Sequence, residues 1–106
     1  MEESDIKYII GKNSVNNWEI YRESNKNDTI FHLDKFPSPY VIVNIPILEL
    51  SIAQINYAAQ LCKLKSKYKN LPNLGIMYTP ISNTKLGTEI GSFVVISRRK
   101  TNVIHI

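Results

Sequence analysis

Apolar positions along this chain change rhythm three times, and each rhythm predicts an element. From Asp28 to Val43 the sequence reads DTIFHLDKFPSPYVIV. Ile30, Phe31 and Leu33 are apolar, Val41, Ile42 and Val43 are β-branched, and Pro37 and Pro39 between them cannot donate to a ladder, which predicts two strands joined by a proline-bearing loop. That loop is expected to be rigid and exposed, with His32, Asp34, Lys35, Ser38 and Tyr40 around its rim. It is the first place to look for a recognition surface. Upstream, Ile6 to Ile10 has strand character and is followed by Gly11-Lys12-Asn13, a tight-turn sequence. These residues predict a hairpin whose second strand is WEIYR, Trp18 to Arg22, with Trp18 and Ile20 on one face.

After Pro46 the period lengthens. Ser51 and Gln54 form a Ser-x-x-Gln capping box, predicting a helix that runs to about Lys69. At roughly 100° per residue, Ile52, Ile55, Ala59, Cys62 and Ser66 fall on one face and Tyr57, Leu61, Leu64 and Tyr68 on another. Two apolar faces predict a helix lying across a sheet, with a loop or a second molecule over its other side. Gly75 to Thr79 is a predicted strand, and the sequence from Pro80 to Gly91 is turn-rich. Ser92–Ile96 and Asn102–Ile106 are expected to pair as a terminal β-hairpin around the basic tip Arg98-Arg99-Lys100. The expected fold is α+β, a mainly antiparallel sheet with one long helix packed across it, forming a single domain over residues 1–106.

Composition narrows the function classes. The 106 residues are 43% hydrophobic and 21% charged, as in globular domains, and no apolar run approaches the length of about 20 residues that spans a bilayer. With one cysteine, Cys62, no internal disulfide forms, and a reducing compartment, the cytoplasm, is expected. The start, MEESDIKYII, is acidic where a secretory signal is basic. Thirteen basic against nine acidic residues give +4, with the positive charge concentrated in the second half while Glu2, Glu3, Asp5, Glu19 and Glu23 lie in the first quarter. A polyanionic partner fits that distribution.

Catalytic constellations are missing from the sequence. His32 and His105 stand apart from each other and from Cys62, so no zinc spacing exists. The phosphate-loop, dinucleotide and hydrolase-elbow motifs lack their minimum residues. Asp28 and Asp34 would lie about 20 Å apart along an extended strand, too far to share acid–base work. A non-enzymatic protein without metal or cofactor is therefore expected.

Several short motifs, in order and at matching spacing over nearly the whole chain, resemble the NFACT-R domain found at the end of NEMF- and RqcH-type ribosome quality-control proteins. Gly11-Lys12-Asn13 with Asn16-Asn17 is similar to its G-[RK]-N-x-x-x-N opening, Asp28-x-x-Phe31-His32 to its D-x-W-F-H strand, and Ser38-x-Tyr40-Val41 to S-x-H-V. Ala58-Ala59-x-Leu61 with Ser66-Lys67 resembles A-A-x-L…S-[KR]. Tyr78-Thr79-Pro80-x-Ser82-Asn83-x-Lys85 resembles the Y-T-P-x-S-N-x-K of a short eukaryotic branch that carries a coiled coil. Two positions depart from the pattern: Ile30 replaces the usual Trp, and Tyr40 replaces the second His. The resemblance implies an RNA-binding module linked to translation or ribosome quality control, with tRNA, ribosomal RNA or DNA as ligand. With no coiled-coil extension and no preceding domain in the sequence, a minimal stand-alone module is expected.

The candidate contacts follow. Arg98, Arg99 and Lys100 repel one another on a turn unless an anion lies over them, and Lys63 with Lys67, one helical turn apart, offers a second pair for phosphate. Lys12, His32, Lys35, Asn83 and Lys85 join them from the motifs. Phe36 and Tyr40 offer rings for an unpaired base, Trp18 and Tyr57 are expected in the core, and Cys62 is expected to be an inert buried hydrophobe. The rival expectation is a protein-interaction module, or a homodimer, docking through the second apolar face of the helix and the aromatic loop.

Overall fold

The computed structural model describes residues 5–106. The acidic pair Glu2 and Glu3 lies outside them. Five strands form an antiparallel sheet in the order β1-β3-β2-β4-β7: β1 (Tyr8–Ile10), β2 (Thr29–Leu33), β3 (Val41–Val43), β4 (Gly75–Pro80) and β7 (Asn102–His105). The two strands expected on either side of the proline loop do pair, Ile30 opposite Ile42 and Phe31 opposite Val41. Side chains alternate faces along a strand, and here both faces are covered. Phe31, Leu33, Val41, Val43 and Ile76 pack with Ala58, Ala59 and Cys62 of helix α2 (Ile52–Leu64). On the opposite face Ile30, Tyr40, Ile42 and Ile81 pack with Ile20 of helix α1 (Ser14–Glu23) and with Phe93. Burial on both sides explains the nearly unbroken apolar runs of β2 and β3.

The fold is α+β with two helices rather than one, and four sequence expectations are corrected. WEIYR is not a strand. It lies inside α1, which Asn13 caps by accepting the Asn16 N–H at 2.8 Å. Its inward face is Asn17, Ile20 and Tyr21, so the helical period is hidden behind a buried polar residue. α2 begins at the expected capping box, Ser51 Oγ accepting from Gln54 N and Ser51 N donating to Gln54 Oε1, but it stops at Leu64 instead of Lys69. There the Ser66 hydroxyl donates to the Lys63 carbonyl at 2.7 Å and accepts the Tyr68 N–H at 3.1 Å, and such local bonds compete with helix propagation. Tyr57, expected in the core, is 54% exposed and edges against Tyr8.

The fourth correction concerns the terminal hairpin. β6 (Phe93–Val95) pairs with β5 (Thr84–Leu86) in a separate two-stranded sheet, while β7 pairs with β4, Gly75 opposite His105. The chain is diverted by Asn83, whose buried carboxamide grips the Ser97 backbone from both sides: Nδ2 donates to Ser97 O at 2.8 Å, and Oδ1 accepts Ser97 N–H at 3.0 Å. Arg98–Lys100 is consequently a single 3₁₀ turn crossing from the small sheet to the edge of the large one. Thr79 Oγ1 fastens that turn by donating to the Lys100 carbonyl at 3.0 Å.

Candidate nucleic-acid interface

Residues 11 to 17 build one wall of a groove. Gly11 is required there because a Cβ would stand 1.8 Å from Asn17 Oδ1. That oxygen accepts the Tyr40 N–H at 3.1 Å, while the Gly11 N–H donates to Tyr40 O at 2.9 Å, so the start of α1 is tied to the residue that leads into β3. Asn16 Oδ1 holds the backbone N–H of Lys12 at 2.9 Å. The motif Gly-Lys-Asn-x-x-x-Asn thus does structural work, and its product is a fixed position for Lys12.

Two further segments complete the groove. Pro37, Ser38 and Pro39 come from the β2–β3 loop, and Lys65, Ser66, Lys67 and Tyr68 come from the turn that ends α2. Ser38 is itself pinned, its Oγ accepting the Leu33 N–H at 3.0 Å. The resulting cleft has a volume of about 680 Å³, and three lysines line it, Lys12, Lys65 and Lys67, with no carboxylate. The N-terminal end of α1 opens into it without an acidic residue in its first turn, adding the positive end of a helix dipole.

Across Pro37 lies a second recess of about 540 Å³, lined by His32, Asp34, Lys35, Phe36, Met77, Phe93, Arg98 and Thr101 among others. His32 is mostly buried here. Its Nδ1–H donates to the Leu33 carbonyl at 2.7 Å, and its ring meets Tyr40 and Phe93 edge-on at 5.7 and 5.4 Å between centroids. Burial lowers its pKa from the ordinary 6.5, against the opposing pull of the Leu33 and Ser38 backbone bonds and of Asp34. The imidazole is held neutral, which suits an aromatic wall better than a phosphate clamp.

The sequence-predicted contacts therefore divide. Lys12 and Lys67 come together in the first groove, and Lys35, His32 and Arg98 in the second. Arg99, Lys100 and Lys85 are exposed but line neither recess. Lys63 is partly buried, its Nζ donating to the Ile106 carbonyl at 3.0 Å. Two expectations are corrected. Tyr40 is completely buried rather than exposed on the loop, with its hydroxyl donating to Gly91 O at 2.5 Å, so its ring has no face for a base. Asn83 is buried and committed to Thr79 and Ser97, an internal brace rather than a surface contact. Lys65 was missed because only Lys63 and Lys67 were paired along the helix; it stands at the C-cap of α2, beside the turn that Ser66 makes. A serine able to bond back to the preceding turn was the available signal. Cys62 is fully buried, as expected, beside Ser38 Oγ at 3.6 Å, and burial pushes its thiol up to about 11.

A family model described as the NFACT protein RNA binding domain matches residues 1–96. The chain belongs to the NFACT-R family. Of the motifs that resemble that family's, Gly11-Lys12-Asn13, Ser38 and Ser66-Lys67 line the first groove, Thr79 and Asn83 brace the Arg98–Lys100 turn, and Phe31 and Ala58-Ala59 lie in the core. Among solved structures, the NFACT-R chain is similar to the C-terminal part of the fibronectin/fibrinogen-binding protein from Streptococcus suis, with a TM-score of 0.84 at 19% identity over 96% of this chain. At that identity the likeness speaks for the fold. The NFACT-R chain spans 41% of that structure's length. No curated protein matches it. No helix among the described residues is long and apolar enough to cross a membrane, and none of their His, Cys, Asp and Glu side chains group into a metal site.

Proposed function

We propose that this NFACT-R domain is a non-enzymatic, cytoplasmic RNA-binding module acting in translation or ribosome-associated quality control, with tRNA or ribosomal RNA as its ligand. The observation that carries this reading is convergence. Gly11-Lys12-Asn13, Ser38 and Ser66-Lys67, far apart in sequence, meet around one cleft holding three lysines and no carboxylate. Three ammonium groups facing one recess repel one another until an anion fills it, and the regularly spaced phosphates of a nucleic acid are such an anion. The family description names RNA as the ligand class. DNA presents the same phosphates, and competition between the two in one titration separates them.

Measuring RNA affinity at several salt concentrations tests the reading. Replacing Lys12, Lys65 and Lys67 together by alanine is expected to reduce the slope of log affinity against log salt by about 2 to 3, at roughly 0.7 to 0.9 per phosphate contact. Absence of RNA affinity at low salt, or a slope unmoved by the triple substitution, overturns it. A second reading, docking of a protein partner or self-association through α2, is favoured by Tyr57 and Leu64, which lie two turns apart and are both more than half exposed. Oligomerisation that is lost on Tyr57→Glu, with RNA binding absent, would install that reading instead.

A further inference from the structure

The two cationic recesses meet at an aromatic pair. Phe36 lines the second recess and Tyr68 the first, and their rings stack at 4.4 Å between centroids with 27° between planes. Tyr68 is half-buried, whereas Phe36 is 37% exposed, and among the described residues Tyr68 is the only ring against it. One face of Phe36 is thus backed by Tyr68 while the remainder borders the second recess. Lys65 and Lys67 line the first recess with Tyr68, and Lys35 and Arg98, together with the carboxylate of Asp34, line the second with Phe36.

From this arrangement we propose that Phe36, backed by Tyr68, is a stacking platform for an unpaired base, and that the domain's ligand is a single-stranded RNA segment running from one recess to the other. The inference rests on the RNA reading above and names its strand state. An exposed ring between two cationic grooves matches what an unpaired nucleotide presents, a π-face alternating with phosphate. A duplex offers phosphates to the lysines, but its base faces are already stacked on one another. A merely structural Phe36 has no need to border a basic recess. The ring is positioned for the task by its neighbours: Pro37 follows it with a fixed φ, and the Ser38 hydroxyl anchors the loop to Leu33.

The test compares three RNA probes with equal numbers of phosphates: a mixed-sequence single strand of about ten nucleotides, within the usual range for such sites, the same strand with abasic positions, and a blunt-ended duplex of two separate strands. The intact single strand is expected to bind tightest. Phe36→Ala is expected to weaken that probe by about 5- to 160-fold, the equivalent of losing one base–aromatic stack, while leaving the abasic strand and the salt slope unchanged. Phe36→Tyr should retain binding, and Phe36→Leu, which keeps apolar packing without a π-face, should behave as alanine; thermal melting of each variant confirms that it is folded. Wild-type affinity in Phe36→Leu, or equal losses for intact and abasic strands in Phe36→Ala, overturns the platform while leaving RNA binding intact. If none of the three probes binds the wild-type domain at low salt, the RNA reading falls and the platform with it.

Discussion

At the scale of single residues, His32 shows how a motif residue with catalytic associations is put to structural use. Its neutral ring joins Tyr40 and Phe93, whose centroids are 5.1 Å apart, in a three-ring cluster between the large sheet and the small one. Because burial lowers its folded pKa below the unfolded 6.5, the unfolded chain takes up the proton first. The stability His32 contributes is accordingly complete above pH about 6.5 and is lost as the pH falls below it, at up to about 1.4 kcal/mol per pH unit. Urea denaturation between pH 7.5 and 5 should show that decline in the wild type and a flatter dependence in His32→Gln. Equal slopes would mean the imidazole is solvated in the folded protein. Tyr40 carries the same logic further, since burial raises its phenol above the ordinary 10 and its hydroxyl remains a donor to Gly91.

Elements were legible where burial, propensity and capping agreed. β2, β3, β4 and the start of α2 follow directly from apolar runs, prolines and the Ser51–Gln54 box, because both faces of the sheet are buried and the cap is local. α1 was hidden by Asn17, a polar residue that occupies a core position because it bonds the Tyr40 backbone. The end of α2 was hidden by the Ser66 hydroxyl, and the partners of β6 and β7 by Asn83; each is a side chain replacing a backbone hydrogen bond that periodicity assumes. The same hidden bonds shaped the candidate site, since the turn that Ser66 makes at the end of α2 carries Ser66, Lys67 and Tyr68 along the groove. Asn83→Ala removes the braces on Ser97 and Thr79 and should cost about 1–3 kcal/mol for each buried group left unpaired. Chemical denaturation should register that loss more strongly than RNA titration of the still-folded protein does. A fall in affinity without a fall in stability would restore Asn83 as a direct contact.

Across the whole molecule, the strand order β1-β3-β2-β4-β7 interleaves the chain. Within this sheet only β2 and β3 pair across a short loop, as β5 and β6 do in the small one. Tyr8 waits for Val43, Leu33 for Ile76, and Gly75 for His105. Both recesses inherit this layout, the first spanning Ile10 to Tyr68 and the second His32 to Thr101, so neither exists until distant segments have met. The sheet order therefore has a kinetic meaning. Closing long loops costs entropy before the pairing they permit is gained, so refolding belongs on the millisecond-to-second scale of non-local topologies rather than the microsecond scale of helical bundles. Stopped-flow refolding should show the β2–β3 hairpin forming early, with Val41→Ala slowing folding and Val103→Ala mainly speeding unfolding. A nascent chain leaving the ribosome must then wait for β4 and β7 before it has its sheet, so during its own synthesis the strands already made remain open edges.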